Sequence, residues 1–287
     1  MKSVADFYKY HGLGNDYIVI DPNKLNFNLK LNEENIRLIC HRNYGIGSDG
    51  ILFGPIIKNG KISFQIFNPD GSEAEKSGNG IRIFALYIHD QEYIKENKFE
   101  LYTKGGMVGI DILDLKSRLI KVAMGEYSFL SEKIPMNLAS KEVLNHEINL
   151  LGEKESISCV NIGNTHCVLF KKNVTEDLAK RLGPLLENHE LFPNKTNVQF
   201  VQILDRANIK IEIWERGAGY TLASGTSSSA ASCVAHKLGF VDKNVIVHMK
   251  GGNVGVEITD EGLFLTGEVA RISSGDFAKD FIEKILK

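Results

Sequence analysis

No run of about eighteen apolar residues, the length a membrane-spanning helix requires, occurs in the sequence. The N-terminus Met1-Lys2-Ser3-Val4-Ala5-Asp6-Phe7 also lacks an apolar stretch of secretory-leader length, so the expectation is a cytoplasmic protein with no membrane partner. Charge of one sign is equally lacking. The formal net charge is −2 at pH 7 and the pI is near 6.5, which supplies no basic field for nucleic acid or an anionic surface. The four cysteines, Cys40, Cys159, Cys167 and Cys233, have no CxxC spacing, which excludes the usual zinc and disulfide frameworks and predicts buried free thiols. The histidines show no metal-ligand spacing either, so no metal site is expected. What the chain does have is 287 residues at 43% hydrophobic content, enough to pack one large domain or two ordinary ones. A small molecule is the partner that fits.

Along the chain, Tyr17-Ile18-Val19-Ile20 reads as a strand with Asn15 at its edge, and Asn32 to His41 as a short capped helix. Gly45-Ile46-Gly47-Ser48-Asp49-Gly50 matches the dinucleotide fingerprint by letter. That fingerprint needs a strand before it and a helix after it, whereas here a helix precedes and the β-like Ile51-Leu52-Phe53 follows, so no nicotinamide or flavin cofactor is expected. Lys61 to Phe67 alternates as a half-buried strand and delivers the chain into the polar loop Asn68 to Ser77. Gly78 to Asp90 follows, a helix apolar nearly all round and therefore enclosed. Phe99 to Thr103, Met107 to Ile112 and Arg118 to Met124 read as further strands.

The second half repeats the first. Gly14-Asn15-Asp16-Tyr17-Ile18-Val19 is echoed by Gly163-Asn164-Thr165-His166-Cys167-Val168, and Ser48 to Phe53 by Thr196 to Val201. Ser77-Gly78 returns as Ser224-Gly225, and Lys104-Gly105-Gly106 as Lys250-Gly251-Gly252. The offsets are 149, 148, 147 and 146, so the landmarks keep one order and one spacing. A duplicated domain follows, each copy having strands round one central helix. The second such helix, Gly225 to Leu238, is built of Ser, Ala, Cys and Val, and such small residues predict very close strand packing.

Unpaired amides at a helix start, aided by the helix dipole, make a socket for an anion. An isolated serine in that place is ordinarily an N-cap. Two matched ones, Ser77 and Ser224, predict a pair of anion sockets facing one ligand. Asn15, Asn68, Asn164 and Asn197 are each ordinary turn residues when taken singly. As a set they offer neutral donors and acceptors for the amino and carboxylate groups of an amino-acid substrate. Glu215-Arg216 precedes Ser224 as Asn68 precedes Ser77, which draws this dipeptide to the site rather than to a solvated ion pair. His166 is either a satisfied structural histidine or, at the start of its strand, a general acid or thiol-tuning group.

The segments His11-Gly12-Leu13-Gly14-Asn15-Asp16, Asn68-Pro69-Asp70-Gly71-Ser72-Glu73, Ser77-Gly78-Asn79-Gly80, Gly163-Asn164-Thr165-His166, Leu182-Gly183-Pro184-Leu185-Leu186-Glu187, Glu215-Arg216-Gly217-Ala218-Gly219 and Ser224-Gly225-Thr226 resemble those of the diaminopimelate epimerases, from about residue 8 to about 270. The resemblance implies an α/β (α+β) fold of two pseudo-symmetric domains, each a mixed sheet or barrel wrapped round a central helix. It places the first domain at 1–118 plus about 272–287 and the second at 119–271. It implies a cofactor-independent isomerase that inverts an α-carbon of LL-diaminopimelate to the meso form, in lysine and peptidoglycan precursor synthesis, as a homodimer. Ser77, Ser224, His166 and Glu215 become the catalytic set, and Asn15, Asn68, Gly78, Asn79, Asn164, Asn197, Arg216, Gly225 and Thr226 the substrate-binding set.

In that family the acid and base groups are two cysteines, and the matching positions here are Ser77 and Ser224. Gly50 stands where many members have a larger polar residue, and Thr165 where proline is usual. Ser227-Ser228-Ser229 departs from the pattern too, so the serines read as part of a natural divergence rather than an isolated exchange. The alternatives such divergence leaves open are an isomerase or racemase of another small amino or hydroxy acid, and a non-catalytic amino-acid-binding paralogue.

Overall fold

A computed structural model describes residues 5–138 and 141–286. Residues 1–4, part of the stretch read above for a leader, and 139, 140 and 287, within the expected domain ranges, lie outside the described residues. The chain divides into two compact units. One ends at Val122 and resumes at Gly267, and the other runs from Ala123 to Thr266.

The first unit contains β1 (Phe7–Gly12), β2 (Asn15–Ile20), α1 (Glu33–Cys40), β3 (Ile51–Lys58), β4 (Lys61–Phe67), β5 (Glu73–Ala74), α2 (Gly78–Asp90), β6 (Lys98–Thr103) and β7 (Gly106–Asp114). β8 (Leu119–Gly125) carries the chain across the boundary at Val122. The second unit contains β9 (His146–Leu150), β10 (Glu153–Asn161), β11 (Thr165–Phe170), α3 (Glu176–Glu187), β12 (Asn197–Ile203), β13 (Asn208–Glu215), β14 (Gly219–Thr221), α4 (Gly225–Lys237), β15 (Asn244–Met249) and β16 (Gly252–Thr259). β17 (Gly262–Glu268) crosses back, and β18 (Ala270–Gly275) and α5 (Lys279–Ile285) complete the first unit.

Strand pairing repeats step for step. β18 pairs antiparallel with β1, β1 with β2, β2 runs parallel to β3, and β4 is antiparallel to β3 and parallel to β6. In the second unit β9 pairs antiparallel with β10, β10 with β11, β11 runs parallel to β12, and β13 is antiparallel to β12 and parallel to β15. Each parallel pair needs a crossover, and a helix supplies it: α1 and α3 between the first pairs, α2 and α4 between the second.

The two central helices solve burial differently. α2 is enclosed from Gly78 through Ile88, as its all-round apolar pattern predicts, and the ring of Phe84 stacks on that of Phe64 at 4.0 Å between centroids. Each large side chain so buried contributes about 1.5–3 kcal/mol. α4 is equally enclosed but carries Ser227, Ser228, Ser229, Ala230, Ala231, Ser232 and Ala235 inside. The four cysteines are free and buried, as expected from their spacing.

Two serine-capped helix starts

β4 ends at Phe67 and the chain turns through Asn68, whose amide donates to Ser72 Oγ at 3.0 Å, before reaching α2. Ser77 caps α2 with φ −143° and ψ 115°, a β-region conformation that lets its Oγ accept the Gly80 N–H at 3.1 Å. Its carbonyl accepts the Ile81 N–H at 2.8 Å. Among the described residues the two remaining amides of the opening turn, Gly78 and Asn79, have no acceptor. Tyr17 brings its phenol oxygen to 3.0 Å from Ser77 Oγ.

Behind this start runs a polar chain within the same unit. Arg82 is completely buried, and its guanidinium donates to the Gly78 carbonyl at 3.2 Å and to Asn79 Oδ1 at 2.6 Å. Burial without a carboxylate lowers its pKa to about 10, which keeps it cationic at neutrality. A guanidinium only donates, so Asn79 must accept from it and use its own NH₂ on Asn15 Oδ1, at 3.1 Å. Asn15 then donates to Asp49 at 3.1 Å. Arg42 bridges Asp49 and Asp16 at 2.7 and 2.8 Å. Burial pushes the Asp16 carboxyl up, but hydrogen bonds from Arg42 and Lys9 outweigh it and hold the group below its ordinary value.

In the second unit Ser224 caps α4 at φ −147° and ψ 125°. Its Oγ accepts the Ser227 N–H at 3.4 Å and its carbonyl the Ser228 N–H at 3.0 Å, and among the described residues the Gly225 and Thr226 amides have no acceptor. Ser224 Oγ also donates to Glu215 Oε2 at 3.2 Å, while Thr221 donates to Oε1 at 2.7 Å. Burial pushes the Glu215 carboxyl up, and the two hydroxyl donors pull it only partly back.

The loop carrying Glu215 and Arg216 is pinned from both sides. Asn197 Oδ1 accepts the Arg216 N–H at 3.0 Å, and Glu187 accepts the Gly217 N–H at 3.0 Å and the Trp214 indole N–H at 2.7 Å. Arg216 itself is exposed, with one guanidinium nitrogen on the Asn194 carbonyl.

His166 is buried, with Nε2 at 2.7 Å from Asn164 Oδ1. Burial pushes its pKa down to about 3, so the ring is neutral at ordinary pH and orients Asn164. Its other ring nitrogen, Nδ1, is buried and has no hydrogen-bond partner among the described residues.

Thus the structure joins Ser77, Gly78, Asn79 and Asn15 in one cluster and Ser224, Gly225, Thr226 and Glu215 in another. Asn68 bonds within its own turn, and Asn164 with His166 forms a separate pair. Sequence reasoning missed Tyr17, Arg82, Asp49 and Glu187 as members of these clusters. A signal for Tyr17 was present: residues two apart on a strand share a face, which places it beside Asn15 as His166 stands beside Asn164.

The family model described as diaminopimelate epimerase matches residues 7–130 and 158–272. The chain is 48% identical over 276 residues to "Diaminopimelate epimerase 2" of Nostoc sp., covering 96% of each chain. It is 39% identical over 287 residues to the diaminopimelate epimerase of Methanocaldococcus jannaschii, covering 93% of this chain and 96% of the relative. Among solved structures, a hydroxyproline epimerase from Agrobacterium vitis superposes with TM-score 0.66 at 12% identity, over 93% of this chain and 90% of that one. A Bacillus anthracis phenazine biosynthesis protein gives 0.63 at 15%, over 94% and 97%. At such identities these two show a shared fold.

Proposed function

This chain belongs to the diaminopimelate epimerase family, and on that premise we propose that it inverts one α-carbon of LL-diaminopimelate to give the meso isomer. The observation that carries the reading is the Ser224–Glu215 hydrogen bond at one of two matched, amide-bearing helix starts. Inversion needs a base on one face of the carbon and an acid on the other. Ser224 takes the α-hydrogen as its own proton passes to Glu215, whose raised pKa makes it a stronger base than an ordinary carboxylate. Ser77 returns a proton to the opposite face.

The planar intermediate places charge on its carboxylate, and the Gly78, Asn79, Gly225 and Thr226 amides stabilise it without pyridoxal phosphate. Asn15, Asn68, Asn164, Asn197 and Arg216 orient the substrate, and His166 supports Asn164. The reaction serves lysine and peptidoglycan precursor synthesis in the cytoplasm, a reducing compartment that suits four free thiols. The assembly we carry with this reading is a homodimer, which light scattering measures directly.

The decisive experiment is incorporation of solvent deuterium at the α-position of LL- and meso-diaminopimelate, with inversion followed by chiral chromatography. Incorporation into both isomers with interconversion is expected. Absence of both at high enzyme concentration overturns the assignment.

A further inference from the structure

A serine hydroxyl alone is a poor proton carrier for an α-carbon, because an alkoxide is far less stable than a thiolate. Behind Ser224 stands a carboxylate. The position in the first unit that corresponds to Glu215 is Asn68, whose amide is turned to Ser72. The group in reach of Ser77 is the Tyr17 phenol, 3.0 Å from Oγ and on a residue only 6% exposed.

Room for that ring comes from Gly50. A Cβ there would lie 2.7 Å from Tyr17 Cε1 and 2.5 Å from the Phe67 carbonyl oxygen, so a larger residue would displace the ring or the strand. Ser77 Oγ already accepts the Gly80 N–H, which leaves it one lone pair and its own proton to share with Tyr17 and a substrate.

Resting on the epimerase reading, we propose that Tyr17 is the proton-relay partner of Ser77. As the Ser77 O–H bond breaks and the new Cα–H bond forms, the Tyr17 O–H bond breaks and restores the serine hydroxyl. Negative charge passes from the carbanion to a phenolate, a much weaker base than an alkoxide, and nothing is oxidised or reduced. In the reverse direction the phenolate takes the serine proton as serine takes the α-hydrogen. Tyr17 acts through Ser77 and does not touch the carbon. Each serine then works as a short wire, backed by a phenol in one unit and a carboxylate in the other.

Tyr17→Phe keeps the ring and removes only the hydroxyl. Its kcat for inversion should fall by roughly 10²- to 10⁴-fold with KM little changed, while α-deuterium exchange into the isomer attacked by Ser224 and Glu215 survives. Unchanged inversion, or equal loss of exchange from both isomers, would overturn the relay. Ser77→Cys should make Tyr17 dispensable, since a thiol carries the proton unaided.

A substrate-free measurement stands beside these. In Ser77→Cys the introduced thiol is alkylated with iodoacetamide across pH, the native cysteines being buried. Its midpoint should lie lower with Tyr17 present than in Ser77→Cys/Tyr17→Phe. Identical midpoints overturn the contact. A wild-type protein inert toward diaminopimelate defeats the epimerase reading, and the thiol titration still decides Tyr17.

Discussion

α2 and α4 begin on serines at φ −143°, ψ 115° and φ −147°, ψ 125°, and in both the serine Oγ caps the third amide of the helix. The side chains around those helix starts differ: the Tyr17 phenol on Ser77 and the buried Arg82 on Asn79 in one unit, the Glu215 carboxylate accepting from Ser224 and Thr221 in the other. Backbone donor geometry is fixed by the strand–loop–helix path and persists through duplication. What stands behind it is set by single side chains and is free to diverge. A reaction that needs two like anion sockets but an acid and a base of opposite duty suits that division.

The comparison breaks first at Glu215. Glu215→Gln should lower kcat roughly 10²- to 10⁴-fold. In the wild-type enzyme the acid limb of kcat against pH should lie above the ordinary glutamate range, because burial raises the Glu215 pKa and the base is lost as pH falls through that raised value. The variant should lack that limb, and a pH profile that keeps it would reassign the base.

The packing contrast comes next. Phe84→Ala in α2 should destabilise by about 3–5 kcal/mol through the cavity it opens. Ala231→Leu in α4 should cost about 1–3 kcal/mol through overpacking, both read from urea midpoints. Near-equal losses for Ala231→Leu and a surface leucine substitution would mean that α4 has space to spare.

The smallest test concerns the caps. Ser77→Ala and Ser224→Ala should each cost about 1 kcal/mol. The first should cost slightly more, its capping bond being 3.1 Å against 3.4 Å.

A pH test separates Tyr17 and His166, which follow Asn15 and Asn164 by two residues. The folded-state pKa of His166 is lowered from 6.5 to about 3, so its contribution to stability is present above pH 6.5 and is lost as pH falls toward 3. His166→Gln should flatten the urea midpoint across that window, while Tyr17→Phe leaves its slope unchanged.

The sequence reveals most about features set by local patterning. Both central helices were legible, α2 from its all-round apolar run and α4 from the repeat, with Gly225 to Leu238 expected and Gly225–Lys237 found. The caps were legible because serine before a glycine at a helix start has a single local geometry. β18 was not, since Ala270–Gly275 is exposed along most of its length and carries no alternation, and its pairing with β1 depends on residues far away in the chain. Glu187 lies inside a quoted motif, yet its role in holding Trp214 and Gly217 depends on α3 packing against β13, where Gly183 leaves the indole its place. Tyr17 and Arg82 were hidden for the same reason. Their partners are chosen by the fold, and only the strand period hinted at one of them.

The small-residue interior of α4 has a consequence for how this protein can change. Large side chains along α2 leave mutation something to trim, and a lost methyl degrades the core by increments. α4 buries alanines and serines, with the hydroxyls of Ser229 and Ser232 enclosed and without hydrogen-bond partners among the described residues. Apart from Val234 and Cys233 such a helix has little side-chain volume to lose by truncation, and Ser229→Ala or Ser232→Ala removes an unsatisfied group. At its alanine positions Ala230, Ala231 and Ala235 the harmful steps are steps up in size, so in a mutational library these positions should accept serine or cysteine and reject leucine. Variation can therefore enter these positions of α4 as exchanged chemistry and hardly at all as added bulk.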